Sequence, residues 1–226
     1  HSVGQQTAVP LAEHVMLFVL YFAKNLHLNR TEIWSRTISE ELDGKTLGLI
    51  GFGASAREVA RRAWPMGLRI EAIDVVDMPQ ALLDDLHVAS FGKLLRLNQV
   101  LSVADYISLH VPLNPETRHL IDSRAFELMK PSAVLINVAR GELVDEAALI
   151  EAFQNGRIKR AGLDVYASEP IDPNHPLLQL ENVLTTPHIA GFSTGTWQRR
   201  SEAAAENVAR VKEGLPPLHQ VDTVIR

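Results

Sequence analysis

An α/β fold, with a doubly wound and mostly parallel sheet covered by helices on both faces, follows from two features of the chain. Between Lys45 and Thr186, short Val/Ile/Leu-rich runs alternate with helix-forming segments, the pattern that βαβ crossovers leave in a sequence. The first of these runs breaks into Gly51-Phe52-Gly53-Ala54-Ser55-Ala56, a G-x-G-x-x-A turn that opens a helix, and the next run closes on Asp74. Strand, glycine turn, helix and a closing acid together mark a dinucleotide-binding unit of Rossmann type.

The elements are expected in this order. Residues 9–28 form a helix with Pro10 at its start and Ala12, Val15, Met16, Val19, Leu20 and Ala23 at i, i+3, i+4 spacing. A polar connection, 29–43, contains Trp34. Strand 46–50, helix 54–65 and strand 69–73 follow, and then a less regular segment to Ala104. Strand 106–111, helix 123–129, strand 133–138, helix 146–155 and strands 161–165 and 182–186 complete the sheet. Residues 166–180, with Pro170, Pro173 and Pro176, read as a loop. The last helix spans about 194–213, capped by Ser193 or Thr194 and ended by Gly214 ahead of Pro216 and Pro217.

With 226 residues, the chain suffices for one large domain or one domain and part of another. A net charge of -5 argues against a nucleic-acid surface, which depends on Lys and Arg. The absence of cysteine excludes disulfides, thiolate metal sites and a Cys nucleophile, and no metal site is expected; cysteine usage fits a cytoplasmic protein. The apolar stretch 15–23 is too short to cross a bilayer, which takes about 20 residues, and no signal peptide is evident at the first residues.

The glycine turn carries the first chemical expectation. Gly51 makes the tight turn, Gly53 admits a pyrophosphate close to the backbone, and the small Ala56 lets the helix pack on its strand. The N–H groups at the helix start, around Ala54 and Ser55, face an anion favourably. Asp74 suits the ribose hydroxyls and would repel a 2′-phosphate, and Val75 and Val76 offer no Arg to receive one, so NAD is expected over NADP.

Three ionisable residues follow later strands: Arg140, Glu169 and His188. In an open parallel sheet these positions share the edge on which ligands bind. Each has an ordinary structural use: a helix cap, a loop acid, a solvated imidazole. Together they form a set able to bind a carboxylate, exchange a proton near neutral pH and stabilise the protonated imidazole.

These stretches resemble the D-isomer-specific 2-hydroxyacid dehydrogenases. The resemblance covers Gly51 to Ala56 with Asp74, 109–117 (LHVPLNPET), 136–141 (INVARG) with Val144-Asp145-Glu146, 162–165 (GLDV) with Glu169-Pro170, and 187–191 (PHIAG). It implies that Arg140 binds the substrate carboxylate and keto oxygen, that Glu169 tunes His188, and that His188 is the acid/base. It implies that Asp164 fixes the nicotinamide carboxamide and that Val111, Pro112, Thr117, Val138, Ala139 and Gly191 line the cofactor cleft beside Arg140 and His188. Hydroxypyruvate, glyoxylate, 3-phosphoglycerate and other small 2-keto or 2-hydroxy acids are all compatible as substrates, and Glu169 departs from the formate dehydrogenase branch, where Gln partners the His.

The resemblance also implies a homodimer formed through the cofactor domain and an NAD(H)-sensing, corepressor-like module as the alternative to an enzyme. Ala54 departs from relatives with a longer polar or basic side chain there. The resemblance leads us to expect that the flavodoxin-like domain preceding this region in the family is absent here and that turnover by this chain alone is poor. On this reading residues 1–43 connect to that domain, 44–192 bind NAD, and 193–226 would pack on the missing part, with an apolar face left open.

Overall fold

The computed structural model describes residues 5–28, 34 and 36–218. Seven strands, β1 (Thr46–Ile50), β2 (Arg69–Ile73), β3 (Val88–Gly92), β4 (Tyr106–Leu109), β5 (Val134–Asn137), β6 (Arg160–Leu163) and β7 (Val183–Thr185), form one sheet. Their order is β3-β2-β1-β4-β5-β6-β7, and every pairing is parallel. All seven C-terminal ends therefore lie along one edge. The order reverses between β1 and β4, and the crevice at such a reversal is where ligands of open α/β sheets bind.

Alternating side chains divide the interior into two cores. Leu47, Leu49, Val134 and Ile136 join α1 (Ala8–Ala23), α2 (Ala54–Ala63) and α3 (Gln80–Asp85) on one face. Ile50, Leu135 and Leu163 join α4 (Leu97–Val103), α5 (Ser123–Leu128) and α6 (Glu146–Gln154) on the other. The Asp122 carboxylate caps α5 through the Ala125 N–H, and Asp145 caps α6 through those of Ala147 and Ala148.

The segment 74–104, expected to be irregular, contains α3, β3 and α4. The two helices have six and seven residues, too few to display a helical period, and β3 is a half-buried edge strand whose Val-Ala-Ser-Phe-Gly lacks clear alternation. The first helix is shorter than the expected 9–28. Asn25 adopts a left-handed conformation (φ 52°), the Leu26 N–H bonds to the Tyr21 carbonyl and the Asn25 N–H to that of Phe22. That pairing is a Schellman ending with Asn in the place glycine usually takes. Leu26 and Leu28 prolong the apolar period in the sequence, but they lie beyond the stop and are exposed. The rest of the expected linker is described only at Trp34 and from Arg36 onward, and the tail beyond 218 falls outside the described residues.

Helix α1 lies directly on the sheet. Phe18 sits against β6 because position 162 is glycine; a Cβ there would come within 2.5 Å of the Phe18 ring. At the far end of α1, the buried Arg160 guanidinium donates to the Phe22 carbonyl (3.2 Å) and to Asn25 Oδ1 (2.7 Å). Helix α7 (Thr194–Lys212) begins at Ser193, whose Oγ accepts from the Thr196 N–H at 3.1 Å, and ends at Gly214 (φ 74°) as its sequence implies. Its Trp197, Val208 and Val211 are exposed.

Over-packing at β6 should loosen α1. Gly162→Ala is expected to cost about 1–3 kcal/mol in urea unfolding, the range for extra methyl groups in a packed core. Gly162→Ala combined with Phe18→Leu should cost less than the sum of the two single changes.

Candidate active site

The carboxyl edge of the sheet gathers every residue singled out from the sequence. Gly51, Gly53, Ala54 and Ser55 follow β1, Asp74 follows β2, Val111, Pro112 and Thr117 follow β4, and Val138, Ala139 and Arg140 follow β5. Asp164 and Glu169 follow β6, and His188 and Gly191 follow β7.

Gly51 has φ 90°, and a side chain there would run into the His110 backbone at 2.8 Å, so β1 and the loop after β4 approach closely only with glycine at this position. Nothing lies within 4 Å of where a Gly53 Cβ would stand. Asp74 ties the turn down: its Oδ2 accepts from the Phe52 N–H at 2.6 Å and its Oδ1 from the Val76 N–H at 2.9 Å. Lys93, not anticipated from the sequence, reaches the same end of the crevice. Its Nζ is engaged by the Val75 carbonyl (3.0 Å) and the Asp77 carboxylate (2.6 Å).

His110 joins the turn to β4. Its Nδ1 lies 2.9 Å from Ser55 Oγ and its Nε2 2.9 Å from Ser108 Oγ. Burial pushes its pKa down to about 4, so it is neutral at pH 7. The Thr117 hydroxyl turns inward, donating to the Pro112 carbonyl at 2.6 Å and accepting from the Asn114 N–H at 2.9 Å, which closes the loop that carries Val111 and Pro112.

His188 and Glu169 meet: Nδ1 to Oε2 is 2.6 Å. A carboxylate only accepts, so Nδ1 carries the proton and Nε2 is the nitrogen left to exchange one. Burial works to raise the Glu169 pKa, but the hydrogen bonds from His188 and from the Tyr166 N–H (3.0 Å), with the charges of His188 and Arg140, hold it below the usual carboxylate value. Arg140 is exposed, and its Nη1 donates to the Ala139 carbonyl at 2.6 Å. The buried Asn137 shapes the bend leading to it, donating to the Arg140 carbonyl and accepting from the Ala139 N–H. Gly141 then passes under the Tyr166 backbone, where a Cβ would come within 1.9 Å.

His188 has a left-handed backbone (φ 54°), unusual for a residue with a Cβ. Asp164 holds it there. The His188 N–H donates to the Asp164 carbonyl at 2.8 Å, while the Asp164 carboxylate accepts from the Thr186 hydroxyl (2.5 Å), the Ile189 N–H (2.9 Å) and the Ala190 N–H (2.8 Å). The Tyr166 hydroxyl adds a bond to the Thr186 carbonyl at 3.0 Å, and burial pushes its pKa up to about 12. Thr186 and Tyr166 went unmarked in the sequence, since their partners are set by the fold and not by local spacing.

A family model described as D-isomer specific 2-hydroxyacid dehydrogenase, NAD binding domain, matches residues 16–190. The chain belongs to this family. It is 42% identical over 175 residues to a glyoxylate reductase of Korarchaeum cryptofilum, a match covering 77% of this chain and 51% of the relative. It is 38% identical over 208 residues to an (S)-sulfolactate dehydrogenase of Chromohalobacter salexigens, covering 89% and 66% respectively. The chain thus spans about half to two-thirds of the length of these curated relatives. Among solved structures, the NAD-complexed D-isomer specific 2-hydroxyacid dehydrogenase of Lactobacillus delbrueckii ssp. bulgaricus superposes with a TM-score of 0.85 at 30% identity, covering 95% of this chain and 69% of that one. A family member from Xanthobacter autotrophicus Py2 in complex with NADPH and MES gives 0.83 at 30% identity, covering 96% and 88%.

The match is to the family's NAD-binding domain, and the chain's own residues fit the cofactor. The space over Gly53 is open to a pyrophosphate at the start of α2. The Asp164 carboxylate accepts three hydrogen bonds, two at Oδ1 and one at Oδ2. Among the described residues no helix is long and apolar enough to cross a membrane, and no group of three or more His, Cys, Asp or Glu is disposed to hold a metal ion.

The neutral His110 makes stability depend on pH. Its folded pKa lies below the unfolded value of about 6.5, so the unfolded chain binds more protons between them. This contribution is present above pH about 6.5 and lost as pH falls toward 4. NMR titration of the folded protein should show the His110 ring half-protonated only near pH 4.

Proposed function

We propose that this chain supplies the cofactor-binding wall and the acid/base of a dehydrogenase that interconverts a small 2-keto acid and a D-2-hydroxy acid. The 2.6 Å contact between His188 and Glu169, on the same edge as the glycine turn, is the observation that carries this reading. Gly51, Gly53, Ala54, Ser55, Asp74, Val111, Pro112, Thr117, Val138, Ala139, Asp164 and Gly191 would bind the cofactor along that edge. The nicotinamide, when bound, supplies the hydride for reduction and takes it in oxidation.

The protein's share is proton transfer and orientation. In the reducing direction the His188 imidazolium gives its Nε2 proton to the keto oxygen, and in oxidation the neutral ring removes the hydroxyl proton. Glu169, ionised across the neutral range, stabilises the imidazolium and keeps the ring turned with Nε2 toward substrate. Arg140 is suited to bind the substrate carboxylate through two parallel N–H bonds, fixing which face of C2 is presented. Among the described residues its guanidinium donates to its neighbour's carbonyl and lies in the field of Glu169, which supports that assignment.

Asp74 supports NAD over NADP, and the Lys93 ammonium is paired with the Asp77 carboxylate. Pairing of two copies and a cytoplasmic setting belong to the same proposal.

Replacing His188 by Gln in the full-length protein should lower kcat for 2-keto acid reduction by about 10²–10⁴-fold, the usual worth of a general acid, with the NADH Kd nearly unchanged. Unchanged turnover would remove His188 from the role. Calorimetric titration should give NADH at least about tenfold tighter than NADPH, since a 2′-phosphate would sit against the Asp74 carboxylate; equal affinities would contradict the assignment of Asp74. An intact protein that binds NADH but oxidises none of it across a 2-keto acid screen would instead be the NAD(H)-responsive binding module.

A further inference from the structure

His14 lies on α1, 172 residues from the β7 loop in sequence, and its Nε2 is 2.9 Å from Thr186 Oγ1. The Thr186 hydroxyl is in turn 2.5 Å from Asp164 Oδ1. A hydroxyl has one proton, and a carboxylate oxygen at 2.5 Å must receive it, because two unprotonated oxygens at that distance would repel. Thr186 Oγ1 is then an acceptor toward His14, so His14 is the tautomer with hydrogen on Nε2. Direct contact between His14 and Asp164 is 3.8 Å, too long for a hydrogen bond.

The His14 ring is held in place for this. Phe18, one turn along α1, meets it edge to face with centroids 4.7 Å apart, and Phe18 owes its position to Gly162. Burial lowers the His14 pKa against the pull of Asp164, which keeps the ring neutral and the donor geometry intact at pH 7. The residues just before α1 are tied to α7: the Gln6 carbonyl accepts from Arg199 Nε (3.0 Å) and Nη2 (2.7 Å).

We infer that His14 is a positioning residue for the reaction: its Nε2–H, passed through the Thr186 hydroxyl, orients the Asp164 carboxylate that holds the Ile189 and Ala190 N–H groups and thereby the left-handed His188. The inference deepens the proposed function and rests on it for the catalytic consequence, but the hydrogen-bonded relay can be tested without turnover. It makes α1 a coupled part of the site, since a displacement of the helix at His14 is transmitted through two side chains to the backbone that presents the acid/base.

The first measurement uses the unmodified full-length protein. Long-range ¹H–¹⁵N NMR at pH 7 should show His14 neutral with hydrogen on Nε2; the Nδ1–H tautomer or an imidazolium overturns the relay. The second is amide exchange at Ile189 and Ala190. His14→Leu should speed it by about tenfold or more, the loss of one bond in a charged network. His14→Gln, whose amide can donate in the same direction, should stay within about threefold of the parent.

In the double variant the accelerations from His14→Leu and Thr186→Val should be less than additive, because both act on one chain of bonds. Leu149 in α6 reports whether the variants remain folded. Equal acceleration in the Leu and Gln variants, or none in either, overturns the inference. In turnover, His14→Leu should lower kcat by about tenfold with KM for the keto acid little changed, and His14→Gln should restore it. Faster exchange in His14→Leu with no turnover in the parent would support the relay and overturn the dehydrogenase reading instead.

Discussion

The site depends on one buried carboxylate. Asp164 is 1% exposed, and a charge so placed persists only where donors replace the lost water. A hydroxyl and two backbone N–H groups from the β7 loop do so, and hydrogen bonds to a charged group are worth about 1.5–3 kcal/mol each. The demand of the carboxylate for donors therefore becomes the force that folds residues 186–190 around it. His188 accepts a left-handed backbone because its neighbours on both sides are fixed to the same residue.

The parallel topology then brings the other parts to this point. With every strand running one way, the ends of β1, β2, β4, β5, β6 and β7 deliver glycine turn, acid, loop, arginine and His–Glu pair to one edge. Close approaches hold them there: Gly51 against the His110 backbone, Gly141 under Tyr166, Gly162 against Phe18. Each glycine removes a side chain so that two elements can meet. The site is assembled from contacts between segments, and its precision depends on packing some distance from the reacting groups.

Much of this was legible in the chain. The β1 turn, Asp74 and the alternation after Lys45 announced the sheet and its cofactor edge, and Arg140, Glu169 and His188 stood out because ligands of open parallel sheets bind at strand ends; the fold brings His188 and Glu169 into contact. What stayed hidden was of two kinds. Elements of six or seven residues, such as α3 and α4, are too short to show a period, and Asn25 ended α1 while Leu26 and Leu28 continued its apolar pattern. The partners of Asp164 were hidden for a different reason. Thr186 and His14 are an ordinary threonine and a helix histidine until the fold brings Thr186 to Asp164, 22 residues away in sequence, and His14 to Thr186, 172 residues away, each within hydrogen-bond distance.

The central claim is that the Asp164 carboxylate holds the His188 turn in its working shape. A crystal structure of the full-length Asp164→Asn protein tests it most directly, because the change preserves volume while setting an amide NH₂ where at least one donor now binds. The account predicts that Ile189 or Ala190 loses its bond, that His188 leaves φ 54°, and that the 2.6 Å contact with Glu169 opens beyond hydrogen-bond range. A variant in which the turn, the His188 backbone and the Glu169 contact are all unchanged would contradict it.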